Sequence, residues 1–204
     1  LYDQGGNDTY RSEALSQGAA QFGIGILVDA GDGDDVRESW HDAQGFGFVA
    51  GAGILLDGGG NDDYLCHRGD PTTDSLIYAS AQMEHEVIET ACQGMGLGLR
   101  GDRADPPTVA LHLSGGLGVL RDSGGDDRYS AGVFGQGSGY WQGTGILSDG
   151  GGDDRYDGSW YVQGGAAHYS VGVFADYAGN DVYNLDKPAR ESHLGHSNDY
   201  SVGV

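Results

Sequence analysis

Pairs of aspartates separated by glycines recur six times along the chain, and their types and spacing suit metal chemistry. Each copy approximates the pattern D-x-G-[GD]-[NDG]-D-x-[YV] over eight residues. Glycine permits positive φ, so such a turn can curl and point carbonyl oxygens inward beside the two carboxylates. Oxygen ligands at about 2.3–2.6 Å suit the hard cation Ca²⁺. No repeated His or Cys accompanies the turns, which argues against zinc or copper.

The candidate calcium ligands form two columns. The first contains Asp3, Asp29, Asp57, Asp122, Asp149 and Asp176, and the second contains Asp8, Asp34, Asp62, Asp127, Asp154 and Asp181. If the copies stack about 5 Å apart, neighbouring like charges repel by the order of 1 kcal/mol in watery surroundings. Bound Ca²⁺ between copies would remove this repulsion. The alternative is that the aspartates only cap solvent-facing turns.

The acidic turns are corners of a larger repeat. Their first aspartates are spaced by 26, 28, 65, 27 and 27 positions. A glycine stands four residues before the aspartate in the later copies, and Ile26, Ile54, Val119, Ile146 and Val173 follow it as a β-branched column. Further upstream lie Gln17, Gln44, Gln93, Gln136 and Gln163, each followed by glycine. We expect the β-branched column to fill the interior and the glutamines to hydrogen-bond along the axis.

A unit of about 27 residues without helical periodicity is typical of one coil of a parallel β-solenoid. The sequence therefore predicts an all-β fold, with residues 1–204 forming one solenoid that carries one short inserted helix. A β-propeller is the alternative, although its blades usually need about 40 residues. Because the chain begins and ends inside repeats, we expect it to be a fragment of a longer array or a subunit of a larger assembly.

The second half of each turn resembles the calcium-binding nonapeptide of RTX proteins, G-G-x-G-x-D-x-U-x, in which U is a large apolar residue. Gly6-Asn7-Asp8-Thr9-Tyr10 and Gly60-Asn61-Asp62-Asp63-Tyr64 carry the resemblance, and three later turns repeat it. It implies that Asp8, Asp62, Asp127, Asp154 and Asp181, with Asp34 in a weaker copy, bind calcium between turns. The turns differ from RTX repeats in occurring once per coil, with Asp in place of the first glycine.

The charge of the chain limits its partners. Thirty-one acidic residues and ten basic residues give a formal net charge of −21. Nucleic acid and anionic membranes are poor partners for such a surface, whereas cations are good ones. A solvated acidic surface of the halophilic type is the alternative. No run of 18 apolar residues is present, so we expect no membrane span.

The interval from Asp57 to Asp122 fits one coil with two insertions, at about residues 66–91 and 98–113. A helix is predicted over residues 74–91, with Asp74 as its N-cap. Cys66 and Cys92 bracket the first insertion. They could form a disulfide, which would indicate an oxidising compartment, take part with His85 and Glu89 in a zinc or thiol site, or stay free.

These features predict a calcium-binding structural, adhesion or assembly module, extracellular or in the cell envelope, with protein or glycan partners at the insertions. The alternative is a carbohydrate-active enzyme whose site lies at the same insertions, by analogy of fold alone. No pair of acidic residues stands out there as catalytic.

Overall fold

The computed structural model describes residues 1–68, 88–100 and 112–185, and within these ranges the chain forms short β-strands and no helix. In chain order the strands are β1 (Tyr2–Asp3), β2 (Thr9–Arg11), β3 (Ala20–Gln21), β4 (Ile24–Asp29), β5 (Val36–Ser39), β6 (Gly47–Phe48), β7 (Ala52–Leu56), β8 (Asp63–Cys66), β9 (Gly96–Leu97), β10 (Leu117–Arg121), β11 (Arg128–Ser130), β12 (Gly139–Tyr140), β13 (Thr144–Asp149), β14 (Arg155–Gly158), β15 (Ala166–Ala167), β16 (Val171–Asp176) and β17 (Val182–Leu185).

The strands form three parallel sheets, to which successive coils contribute one strand each. The first sheet has the order β1-β4-β7-β10-β13-β16, the second β2-β5-β8-β11-β14-β17, and the third β3-β6-β9-β12-β15. Equivalent residues pair directly, as Tyr129 does with Tyr64 and Tyr156. The predicted parallel β-solenoid is confirmed, with about six coils of roughly 27 residues. The propeller alternative is wrong, because strands pair between repeats rather than within one.

The interior of the first sheet is filled by leucines and not by the β-branched column. Leu27, Leu55, Leu120 and Leu147 are buried, whereas Ile26 is 47% exposed and Val173 is 38% exposed. Side chains alternate between the two faces of a strand, so the residue two positions before a buried aspartate shares its face. The leucines hold that position, while the β-branched residues, three positions before the aspartate, face outward. The prediction for the β-branched column is therefore wrong.

Glycines make the coil thin. A Cβ on Gly118 would lie 2.0 Å from the carbonyl oxygen of Met95, which is on the opposite wall of the coil. Only glycine allows the two backbones to approach so closely.

The glutamine column holds a bend rather than a side-chain ladder. Gln44 has a φ of 54° and Gly45 a φ of 78°, a left-handed pair that turns the chain between sheets. Gln44 Nε2 donates to Arg37 O in its own coil at 2.9 Å and to Leu65 O in the next at 3.3 Å. The glutamines thus join coils through backbone carbonyls, and the described hydrogen bonds include none between glutamines.

The two insertions leave the coil that follows β8. Ile88 N donates to Arg68 O at 3.1 Å, so the chain returns beside the point at which the first insertion departs. Leu99 and Leu113 exchange two hydrogen bonds of 3.0 Å at the base of the second. Most of the predicted helix lies outside the described residues, but residues 88–91 do not form its end, because Glu89 pairs in parallel with Val133.

Candidate metal centre

The first aspartate closes its acidic turn on itself in the first five turns. Asp122 Oδ1 accepts a hydrogen bond from Gly124 N at 2.8 Å, and Asp149 Oδ1 accepts one from Gly151 N at 2.8 Å. This local bond is the reason that aspartate suits the position. The Oδ2 atom remains for other partners, and the Tyr129 hydroxyl donates to Asp149 Oδ2 at 2.6 Å.

The second aspartate joins adjacent coils. Asp127 Oδ1 accepts from Asp62 N at 2.7 Å, and Asp154 Oδ1 accepts from Asp127 N at 2.8 Å. The same bond joins Asp8 to Asp35 and Asp35 to Asp62, each at 2.7 Å. Most of these aspartates thus use Oδ1 to hold the backbone, which leaves a file of Oδ2 atoms along the solenoid.

The carboxylates collect into groups of three between coils. These groups are Asp8/Asp29/Asp35, Asp35/Asp57/Asp62, Asp62/Asp122/Asp127, Asp127/Asp149/Asp154 and Asp154/Asp176/Asp181. In each group, one ligand oxygen from each residue lies within 4.8 Å of the others. Ligands on opposite sides of a Ca²⁺ ion are about 4.8 Å apart, so one ion could contact all three oxygens.

Ten of the twelve predicted ligands lie in these groups, and Asp34 and Asp3 do not. The second turn is one residue longer than the others, and pairing of Val36 with Thr9 puts Asp35 in the column of Asp8. Asp34 is exposed, and its Oδ1 accepts from Asn61 N at 2.8 Å. The placement of Asp34 in the column of Asp8 is therefore wrong, and Asp35 takes its place. Asp3 Oδ1 accepts from Gly5 N at 3.1 Å, and Asp3 joins no described group of three.

A stack of tyrosines lines one side of the carboxylate file. The rings of Tyr64 and Tyr129 lie 4.7 Å apart and nearly parallel, and those of Tyr129 and Tyr156 lie 4.8 Å apart. Tyr64 donates to Asp122 Oδ2 at 2.5 Å. The hydroxyls donate hydrogen bonds to some of the buried carboxylate oxygens. They do not neutralise the negative charge, because a phenol carries no positive charge.

Three carboxylate oxygens in the file are buried without a hydrogen-bond partner. They are Oδ2 of Asp62, Oδ2 of Asp127 and Oδ1 of Asp176, and the first two residues are only 2% and 3% exposed. A buried charged oxygen without a partner is costly, so each such atom requires a proton, a water or a cation. The donors around them are oxygens, which suits a hard cation.

Without a cation, burial and mutual repulsion favour protonation of these groups. Burial, followed by repulsion from Asp122, raises the pKa of Asp127 to about 10. Burial and the charge of Asp57 raise the pKa of Asp62 to about 8, and burial raises the pKa of Asp154 to about 7. Near neutral pH a cation would therefore compete with protons for the oxygens of these three carboxyl groups.

One coil carries its own cation. Pairing of β5 with β2 and β8 puts Arg37 in the tyrosine column, between Tyr10 and Tyr64. Its guanidinium is fully buried, and its carbon lies 5.2 Å from each of the two ring centres. Arg37 Nη2 lies 2.7 Å from Asp35 Oδ2 and also forms an ion pair with Asp57.

The turn pattern does not mark Asp35 or Arg37, because it spans only eight residues of each repeat. The repeat period does mark them, since Asp35 lies 27 positions after Asp8 and Arg37 lies 27 positions after Tyr10.

The structure joins Cys66 and Cys92 in a disulfide across the base of the first insertion. Both residues are buried beside Ala43. His67, which a zinc site could have used, instead bonds Glu38 Oε1 through Nε2 at 2.7 Å. The paired sulfurs leave no thiolate here for zinc or for nucleophilic attack. His85 lies outside the described residues.

No helix among the described residues is long and apolar enough to cross a membrane. Comparison of the chain with protein-family models, with curated proteins and with solved structures found no match.

Proposed function

We propose that the protein is a calcium-stabilised structural module that acts outside the cell or in the cell envelope. The observation that carries the proposal is the file of buried three-carboxylate groups with unpartnered oxygens on Asp62 and Asp127. Two carboxylates 4.8 Å apart repel by about 3.5 kcal/mol at an effective dielectric constant of about 20. An ion between the coils replaces this repulsion with attraction and ties each coil to the next.

One feature of the structure supports an extracellular location. The disulfide between Cys66 and Cys92 would persist in an oxidising compartment. Calcium sites of extracellular modules work at dissociation constants of about 10⁻⁴–10⁻³ M, so the site need not bind tightly to be occupied.

Thermal unfolding with calcium, with magnesium and with EGTA tests the proposal. At a calcium concentration of a hundred times Kd, each site should add about 2.7 kcal/mol to the free energy of unfolding. In a chain of this size that corresponds to about 5–10 °C in Tm. An equal Tm in calcium and in EGTA would refute the proposal.

A matched pair of variants tests whether calcium stabilises the protein by binding at the buried carboxylates. Asp127→Asn removes a buried ligand charge but keeps an oxygen to accept from Asp62 N. Asp126→Asn makes the same change at the adjacent exposed position, where the side chain accepts a hydrogen bond from Asp153 N in the next coil at 2.8 Å. The first variant should lose most of one site's calcium effect, and the second should keep it.

An assembly role is supported by the outer face of the first sheet. The exposed apolar side chains on this face include Ile26, Leu117, Val171 and Val173. Among the described residues, Arg121 is the one cationic side chain that shares the face with them. Exposed apolar patches of this kind mark association surfaces, and on a chain of −21 charge this is the face where two copies repel least. Sedimentation in calcium should show self-association that Val119→Lys abolishes. A wild-type protein that stays monomeric in calcium would refute this role.

The carbohydrate-active alternative is supported by one cleft at the bases of the insertions. It has a volume of about 290 Å³ and is lined by Phe48, Glu89, Arg100 and Tyr140, a combination of aromatic rings and charge that suits a sugar. If the wild type hydrolyses a member of a glycan panel and Glu89→Gln does not, the result would favour the enzymatic function over the structural one. A complete lack of turnover by the wild type on the panel would remove it.

A further inference from the structure

Arg37 occupies the position that a tyrosine holds in the other paired coils of the second sheet. In register it follows Tyr10 and precedes Tyr64, and its guanidinium lies over both rings. A planar guanidinium can stack between aromatic rings as a tyrosine ring does, so the column continues without a gap. The replacement changes the charge of the column without changing its architecture.

The guanidinium contacts the carboxylates of two groups. Nη2 lies 2.7 Å from Asp35 Oδ2 and 3.3 Å from Asp29 Oδ2, and it also pairs with Asp57. Nη1 lies 3.7 Å from Asp62 Oδ2. Arginine stays charged at every pH that a protein experiences, so this positive charge is permanent.

The groups farther along the file have no such neighbour. Arg37 approaches Asp62 at 3.7 Å. No other described ion pair joins a basic side chain to a carboxylate of the three groups from Asp62/Asp122/Asp127 onward. Arg128 and Arg155, the basic residues of β11 and β14, lie on the exposed face of the second sheet. The unpartnered Oδ2 of Asp127 lies in this part of the file.

We infer that Arg37 is a built-in cation that replaces the metal ion in the groups Asp8/Asp29/Asp35 and Asp35/Asp57/Asp62. The protein then binds three calcium ions, at Asp62/Asp122/Asp127, Asp127/Asp149/Asp154 and Asp154/Asp176/Asp181, rather than five. This inference rests on the proposed function, because it assigns the occupants of the same carboxylate file. A second cation beside Arg37 would be repelled by the guanidinium and would find the Oδ2 atoms of Asp29, Asp35 and Asp57 already paired with it.

Counting bound calcium in two variants tests the inference. Arg37→Tyr restores the tyrosine of the other coils and frees both groups. Arg128→Gln removes an equal charge from the exposed face. After equilibrium dialysis, elemental analysis should give three calcium ions per chain for the wild type and Arg128→Gln, and five for Arg37→Tyr. Arg37→Tyr should also have the lower Tm in EGTA and the larger gain in Tm on addition of calcium.

The possible outcomes distinguish the role of Arg37 from the proposed function. Five ions in the wild type, or three in a folded Arg37→Tyr, would overturn the role of Arg37 and leave the proposed function standing. No bound calcium in the wild type would overturn both. If Arg37→Tyr does not fold, calcium anomalous scattering from wild-type crystals decides the question: peaks in the three distal groups and none beside Arg37 support the inference, and a peak beside Arg37 refutes it.

Discussion

Removal of calcium should make the stability of the protein fall as the pH rises. In the metal-free fold the pKa of Asp127 is raised from 3.8 to about 10 and that of Asp62 to about 8, first of all by burial. A raised pKa in the folded state means that the folded protein binds a proton that the unfolded chain releases. The stability from Asp127 is therefore complete below pH 3.8 and is lost as the pH rises through about 10.

The size of the effect follows from these values. Each such group lowers the free energy of unfolding by about 1.4 kcal/mol per pH unit within its window. Between about pH 6 and pH 8, Asp127 alone should contribute a loss of about 2.7 kcal/mol, and Asp62 adds about 2 kcal/mol before its window ends. In saturating calcium the ion replaces the protons, so the gain in stability from calcium should increase over the same pH range.

Urea unfolding at three pH values, in EGTA and in calcium, measures both trends. Asp127→Asn should reduce the slope in EGTA by the equivalent of one proton, whereas Asp126→Asn, exposed in the same turn, should not. Stability in EGTA that is constant or increases from pH 6 to pH 8 would show that the buried carboxyl groups are not protonated in the metal-free fold. A calcium effect that shrinks as the pH rises would contradict competition between ion and proton.

Three further predictions concern the solenoid itself. Leu120→Ala should lower the free energy of unfolding by about 2.7–5 kcal/mol, because it empties a fully buried position. Replacement of Cys66 and Cys92 by serine should cost about 3.5 kcal/mol in urea unfolding, as expected for a cross-link with a sequence separation of 26. Gly118→Ala should fail to give a folded protein by circular dichroism, since its Cβ would lie 2.0 Å from Met95 O.

Each of these predictions has a control in the same chain. Val119→Ala, on the outer face of the strand that holds Leu120, should cost much less, and equal costs would contradict the inward position of the leucines. Gly23→Ala should be tolerated, because the nearest atom to its Cβ, Gln21 O, is 3.8 Å away. For the cysteine pair, a reducing agent should weaken the wild type to the level of the double variant and leave the variant unchanged.

Most of the fold could be predicted from the period of the sequence repeat. Identical residues at intervals of 27 can stack only if the strands run parallel and in register, as Gly118, Gly145 and Gly172 do in the first sheet. The inward face was harder to predict, because Ile146 and Leu147 are both apolar and adjacent. The buried aspartate decides between them: it lies two positions after the leucine, so the leucine shares its face.

Asp35 could not be found from the turn pattern, because the second turn contains one extra residue. Backbone pairing fixes the strands on either side, while a turn at the corner can absorb an insertion without disturbing them. When a turn contains an extra residue, the pairing of the following strand therefore determines which carboxylate faces inward. Val36 pairs with both Thr9 and Asp63, so the residue before it, Asp35, joins the column and Asp34 stays outside.

Arg37 also bears on the charge state of the file. A buried guanidinium is stabilised only by ionised partners, since a protonated carboxyl group would leave the positive charge uncompensated. Its contacts with Asp35 and Asp57 thus require ionised carboxylates in that coil. The distal coils place their aspartates at the same register positions but supply a neutral tyrosine where Arg37 would be. The calcium ions proposed for the distal coils would take the place of this internal cation.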